Sequence, residues 1–407
     1  MFKNLNLDKT FQFLLIILAF LMPLTVFGAN LIIVIICLLW LFSGNYKSKF
    51  HQIINNKLLL ASIVFFCLHV IGLLWTEDLI WGLHIVHKMW YFLLLFPVLF
   101  TIVKKDYIKF YISAFLLAIT LTEVASYLVW FEIISPFKNA TVQNPTPFMS
   151  HISYNPILAF AIYLVMHEVF FNKKLTNLLF SFYSFFAISM TINMFITGGR
   201  AGHVAFFVML SILIFQVLDK QRVKSLIAIL ILIPAIFITS YQTSNLFQDR
   251  VDTAIHEILT FSDTGGYDPN TSSHTSVGAR INFAINSWEA VKKNPIIGIG
   301  TGDFPNEYKK INQINSPELP YGTNPHNMYV LVLSQLGLLG LASMLSIFYF
   351  QVKLSFNSPS KLIRDLGITL PLMFLVMMLS DSYLLGHYTT LMYIFFSSFL
   401  YKDFEKS

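Results

Sequence analysis

The feature that most constrains this chain is the gathering of its apolar residues into runs of about twenty, the length a helix needs to cross ~30 Å of hydrocarbon. Apolar residues in a soluble helix recur at amphipathic spacing, and these runs are apolar all round. Only 12% of the 407 residues are charged while 56% are hydrophobic and 41 are Phe. Since an ordinary soluble domain carries roughly 25% charged residues, too little polar surface remains to cover a globule. The pattern predicts an all-α polytopic membrane protein and excludes a cytosolic enzyme, a secreted disulfide scaffold and a disordered linker. Cys37 and Cys67 both sit inside apolar runs, where a thiol packs as a small hydrophobe, and two such residues make no disulfide framework.

Runs lie near 11–27, 29–44, 58–75, 79–103, 107–133, 152–171, 175–197, 200–218, 223–241, 327–352, 365–383 and 386–401, which predicts about twelve transmembrane helices. The first two read as a hairpin turning at Gly28-Ala29-Asn30 rather than as a signal peptide. An even count puts both termini on one side. Eighteen of the 27 Lys and Arg residues fall on the termini and even-numbered connections, whereas the short opposite connections carry only Lys138 and Arg200. By the positive-inside rule the termini are then cytoplasmic. The net charge of +6 is therefore expected to reflect topology, with no nucleic-acid partner. Three regions follow: spans one to nine over 1–241, a large periplasmic loop over 242–325 containing short helices, and spans ten to twelve over 326–407. The segment 277–293 reads as an amphipathic interfacial helix, with Ile281, Ala284, Ile285, Trp288 and Val291 at three- and four-residue intervals.

Charges on the outer half of a membrane protein are costly and invite a functional hypothesis. Arg200 stands in Thr197-Gly198-Gly199-Arg200-Ala201-Gly202-His203, at the outer junction of spans seven and eight. Its planar fork suits a phosphate at the membrane surface; the segment also reads as a tight turn with a snorkelling Arg. Arg280 falls in the first turn of the loop helix, where the helix dipole disfavours a cation unless an anion joins it; an exposed surface Arg is the other reading. His326 follows Pro325 at the mouth of span ten, where the dipole favours the neutral imidazole that a general base requires. Lys88 lies part-way into span four and needs an anion, water or carboxylate. Asp381, near the outer end of span eleven, is a candidate partner for one of these cations. The glycines of Gly298-Ile299-Gly300-Thr301-Gly302-Asp303 lack the spacing of a nucleotide loop and read as a structural turn.

No metal-ligand spacing, nucleophile elbow or nucleotide loop occurs, so no metal and no cofactor is expected. A group of arginines with a histidine at the outer interface suits transfer from a lipid-linked diphosphate donor, with Arg holding the leaving diphosphate and His taking a hydroxyl proton.

At these residues the sequence resembles the O-antigen ligase and polymerase superfamily of bacterial inner-membrane proteins. Thr197 to His203 resembles its Arg-Ala-Gly segment, and Gly278-Ala279-Arg280 through Asn294-Pro295 and Gly298-Ile299-Gly300 resembles its periplasmic-loop helix. His326-Asn327, nine residues, Gly337, two residues and Gly340 fits its ligase pattern. The resemblance implies a C-type glycosyltransferase fold and a metal-independent enzyme of lipopolysaccharide biosynthesis. Its donor would be a polysaccharide on undecaprenyl diphosphate and its acceptor a sugar hydroxyl of the lipid A core. It implies donor binding by Arg200 and Arg280, to which Lys88 is added as a further diphosphate ligand. His326 would be the base, with Asn327 and Asp381 in support. Within the superfamily, an O-antigen polymerase has two sizeable loops and an Arg, ten residues, Gly motif that this chain lacks, and a protein O-oligosaccharyltransferase is a third alternative. Outside it, a polysaccharide or lipid-linked sugar transporter would place charges through both halves of the membrane.

Overall fold

Every apolar run becomes a helix, because in hydrocarbon a helix satisfies all its own peptide groups. The computed structural model describes residues 7–138, 140–263, 276–317 and 321–404, and regular structure among them is helical throughout. The first half comprises α1 (Leu7–Leu21), α2 (Val26–Phe42), α3 (Tyr46–Ile54), α4 (Lys57–Ile71), α5 (Leu79–Trp90), α6 (Phe96–Ile102), α7 (Ile108–Trp130), α8 (His151–Phe171) and α9 (Asn177–Ile196). The second comprises α10 (Arg200–Leu218), α11 (Arg222–Thr243), α12 (Asn245–Asp263), α13 (Ser276–Lys293), α14 (Phe304–Asn315), α15 (Met328–Phe356), α16 (Lys361–Met377) and α17 (His387–Leu400). A π-helical segment, Tyr91–Leu95, joins α5 to α6.

Among the described residues, eight spans are long and apolar enough to cross a bilayer, or nine if α2 and α3, bent by 115°, count together. The other expected spans are the shorter helices α1, α2, α16 and α17, of 15, 17, 17 and 14 residues. One expectation is corrected. The first turn falls at Met22-Pro23-Leu24-Thr25, and Gly28, Ala29 and Asn30 lie inside α2. Proline resists continuation of α1, and the Thr25 hydroxyl caps α2 by accepting from the Gly28 N–H.

α8 and α17 form the centre, whereas α9 and α11 are largely exposed at the rim. α10 crosses α8 closely, since a Cβ added at Gly202 would fall 2.2 Å from Asn155 Cβ and one at Gly199 would fall 2.6 Å from the His151 carbonyl. Both chain ends meet at one end of the bundle: Leu7, Asp8, Lys402 and Phe404 line a cavity there with Lys49 and Lys104, and Lys104 pairs with Asp8 at 2.7 Å.

At the other end α15 is interrupted. Gly337 has φ +61°, and the segment 295–300 threads through the break. The Ile299 and Gly300 N–H groups donate to the carbonyls of Ser334 and Gln335, while Leu338 and Leu339 donate to those of Pro295 and Ile296, at 2.9 to 3.2 Å. Opened peptide groups are thus re-paired within protein, the condition for irregular backbone at membrane depth. The Asp303 carboxylate then accepts from the N–H groups of Glu77 and Asp78 and from Thr76 Oγ1, tying the loop to the α4–α5 connection. The Gly298–Gly302 run is therefore occupied by protein backbone. A Cβ at Gly337 would lie 2.3 Å from Ile296 C. Gly337→Ala is expected to lower the amount of folded protein in membranes and its unfolding temperature, by more than the ~1 kcal/mol of a strain-free glycine change.

α13 has the expected bounds to within a residue, but its expected apolar stripe is split: Ile285 and Trp288 are more than half exposed, while Val291 is buried with Asn286, Ser287 and Ala290. The side chain of Ile281 lies outside the described residues. α12 shows an outward stripe, Ile255, Ile258 and Leu259. Outward apolar stripes on loop helices are what an interfacial position beside a bilayer demands.

Candidate functional site

The site is assembled where α8, α10, α12, α13 and the α16–α17 connection meet. A cavity of about 420 Å³ is lined by Arg200, Arg250 and Arg280, with His151, Gly198, Gly199, Asp381 and Tyr383. Arg200 is the first residue of α10 and is held there by the glycine-mediated contact with α8. Asn155 of α8 also donates from Nδ2 to the Met194 carbonyl at 3.2 Å, fixing the chain just before it. Arg250 comes from α12, and its guanidinium would lie 3.4 Å from a Cβ at Gly198. Asn144 completes this corner: Oδ1 accepts from the Gly198 N–H at 3.1 Å, and Nδ2 lies 2.7 Å from His151 Nδ1.

The charges do not cancel. Three guanidinium groups and one carboxylate line the cavity. Glu257 approaches Arg200 only to 3.9 Å, beyond hydrogen-bond reach. Arg200 Nε and Nη1 and Arg250 Nε are buried without a hydrogen-bond partner among the described residues. A buried unpaired donor costs ~1–3 kcal/mol, and more when charged, and an anion in the cavity would supply the missing acceptors.

His326 reaches this cavity through Asp381. Its Nδ1 is buried, without a hydrogen bond in the described residues, and lies 3.4 Å from Asp381 Oδ1. The residue adopts φ +50°, a left-handed conformation rare outside glycine. It is held there by its neighbours. Asn324 Oδ1 accepts from the His326 N–H at 3.0 Å and from Ser382 Oγ at 2.9 Å, and Asn324 Nδ2 lies 3.3 Å from Asp381. Asn327 caps α15 by accepting from the Tyr329 and Val330 N–H groups, and its Nδ2 donates to the Leu379 carbonyl. The His-Asn pair thus divides its labour: the Asn starts the helix and pins the α16–α17 connection, and the His is left aimed at that connection's carboxylate. Phe283 of α13 packs beside the imidazole, with ring centroids 6.0 Å apart and planes tilted by 54°. Burial raises the Asp381 pKa, but His326, the Ser382 N–H and the Arg280 charge outweigh it, and the carboxyl is held below its ordinary range.

Of the residues singled out in the sequence, Arg200, Arg280 and Asp381 share the cavity, His326 adjoins it through Asp381, and Asn327 adjoins it through Leu379. Lys88 does not line it. It lies instead in a second chamber that shares Ile152, Asp381 and Tyr383 with the first. Arg250, His151 and Asn324 escaped sequence reasoning. Arg250 had a signal, being a cation of the large loop inside a helix-forming segment; His151 opens a helix as His326 nearly does. Asn324 had none.

Fold and site define the class: a multi-pass helical membrane protein with a cationic cavity at one end of the bundle. Residues 185–345 match the family described as O-antigen ligase. The matched segment contains Arg200, Arg250, Arg280 and His326. The chain is also similar to an uncharacterized protein of Haemophilus influenzae, 29% identical over 242 residues, which covers 56% of this chain and 58% of that relative.

Proposed function

We propose that the protein is a glycosyltransferase of the bacterial inner membrane that moves a polysaccharide from undecaprenyl diphosphate to a sugar hydroxyl of the lipid A core. In this reading the termini are cytoplasmic and the cavity opens to the periplasm. The observation that carries it is the convergence of three arginines, two with buried unpaired donors, on one cavity beside an Asp–His pair. Three cations against Asp381, with Glu257 a second carboxylate 3.9 Å from Arg200, leave the site net positive, which suits a diphosphate diester carrying one negative charge on each phosphate.

The chemistry follows from these groups. The acceptor oxygen attacks the anomeric carbon, forming the new glycosidic bond as the bond to the diphosphate oxygen breaks. The electron pair leaves on undecaprenyl diphosphate, whose growing charge Arg200, Arg250 and Arg280 stabilise by bidentate hydrogen bonds. The hydroxyl proton passes to His326 Nε2, while Asp381 faces Nδ1 and orients the ring. One direct displacement inverts the anomeric centre. The reaction needs no metal and no cofactor, because the diphosphate bond is already activated.

The test is the lipopolysaccharide profile of a strain lacking the gene. Loss of all capped core, with polymer retained on the lipid carrier, is expected. Core bearing a single repeat unit identifies a polymerase instead, and an unchanged profile overturns both.

A further inference from the structure

We infer that the chamber holding Lys88 is the acceptor subsite, and that Lys88 recognises an anionic substituent, phosphate or carboxylate, on the acceptor sugar. This rests on the proposed transfer reaction and adds a place and a chemistry for its second substrate.

The chamber is about 290 Å³ and is lined by Lys88 of α5, Ser153 of α8, Thr323, Asn324, Ser382 and Thr389. Its volume is near the ~300 Å³ lower bound of small-ligand pockets, enough for one sugar ring. Hydroxyl and amide groups on several sides are what a sugar's hydroxyls require. The position follows from the displacement geometry: a nucleophile enters opposite the leaving group, so an acceptor must come from the far side of the anomeric carbon relative to the diphosphate. The two chambers meet at Asp381, Tyr383 and Ile152, with arginines on one side and Lys88 on the other. The base stands at that wall, since Asn324 lines the second chamber and also holds the His326 N–H. Lys88 is half-buried, and no carboxylate lies within ion-pair distance of it among the described residues. A half-buried ammonium without a protein counter-ion favours a ligand that brings one.

The experiment uses full-length protein in proteoliposomes with lipid-linked polysaccharide as donor and lipid A core as acceptor, comparing Lys88→Met and Lys88→Arg with the parent. Lys88→Met is expected to raise the acceptor KM about tenfold or more and leave the donor KM within about twofold, with Lys88→Arg recovering most of the loss. Two altered acceptors, one dephosphorylated and one carboxyl-reduced, identify the anion: the one lacking the recognised group is used equally by parent and Lys88→Met. If Lys88→Met raises the donor KM instead, or changes neither KM, the inference is wrong. Arg200→Ala runs beside it; if that variant transfers normally, it is the underlying reaction that falls, whatever Lys88 does.

Discussion

Replacing His326 with Ala is expected to lower polysaccharide transfer by about 10²–10⁴-fold, the usual worth of a positioned general base, while the protein still inserts and still binds donor. The expectation rests on the division of roles at the start of α15. Asn327, not His326, caps the helix and pins Leu379, and the left-handed turn at 326 is held through the His326 backbone N–H, so removing the imidazole leaves the framework intact. His326→Gln tests the same point with a polar side chain that cannot serve as base, and full transfer by either variant removes the assignment. Asp381→Asn is expected to lose a smaller share of the rate, because Asp381 orients the ring without taking its proton. Since the Asp381 carboxyl is held below its ordinary range, it is ionised throughout about pH 5.5 to 8, and the deficit of Asp381→Asn is expected to be constant over that interval. A deficit that vanishes at the acid end contradicts a permanently charged Asp381.

The second large effect belongs to Arg200. Arg200→Ala is expected to abolish transfer and to weaken donor binding by about tenfold or more, since it removes a charged fork whose Nε and Nη1 have no acceptor among the described residues. Arg200→Lys is expected to restore little, because an ammonium cannot present two parallel N–H groups to phosphate oxygens. An alternative is that Arg200 merely pairs with Glu257 and holds α12 in place. Under that alternative Lys would serve nearly as well, and Glu257→Gln would be as damaging as Arg200→Ala. Donor binding by the two Arg200 variants therefore separates the roles.

Much of this molecule was legible in the sequence because hydrocarbon leaves the backbone so few options. Apolar runs had to be helices, and their order survives almost unchanged from sequence to structure. What was misplaced depended on local competition. The first turn moved from Gly28 to Pro23 because a proline and a capping Thr outweigh a glycine that fits comfortably inside a helix. α16 ends early, at Met377 rather than near 383, because the connection to α17 is spent on the site, carrying Asp381 and Ser382 to Asn324 and His326.

The site was partly legible for a different reason. A cation on the sparsely charged outer face stands out, which exposed Arg200, Arg280 and Lys88; spacing could not say which of them share a cavity, and only the fold separates Lys88 from the arginines. Arg250 and His151 were hidden because their role arises from helices distant in sequence meeting at Gly198. The glycines illustrate the same limit. Gly199 and Gly202 admit the α8 backbone, and Gly337 admits residues 295–300, so their value lies in protein contacts that the spacing alone does not specify.

The central claim is that the arginine cavity and His326 together transfer a lipid-diphosphate-linked glycan. The most direct measurement is transfer by the purified full-length protein in proteoliposomes, with lipid-linked polysaccharide and lipid A core as the two substrates and capped core quantified over time. The account predicts capped core from the parent protein, none from Arg200→Ala with donor binding weakened, and a loss of about 10²-fold or more for His326→Ala with donor binding retained. Capped core formed at the parent rate by Arg200→Ala and His326→Ala, in protein that is folded and inserted, would contradict it.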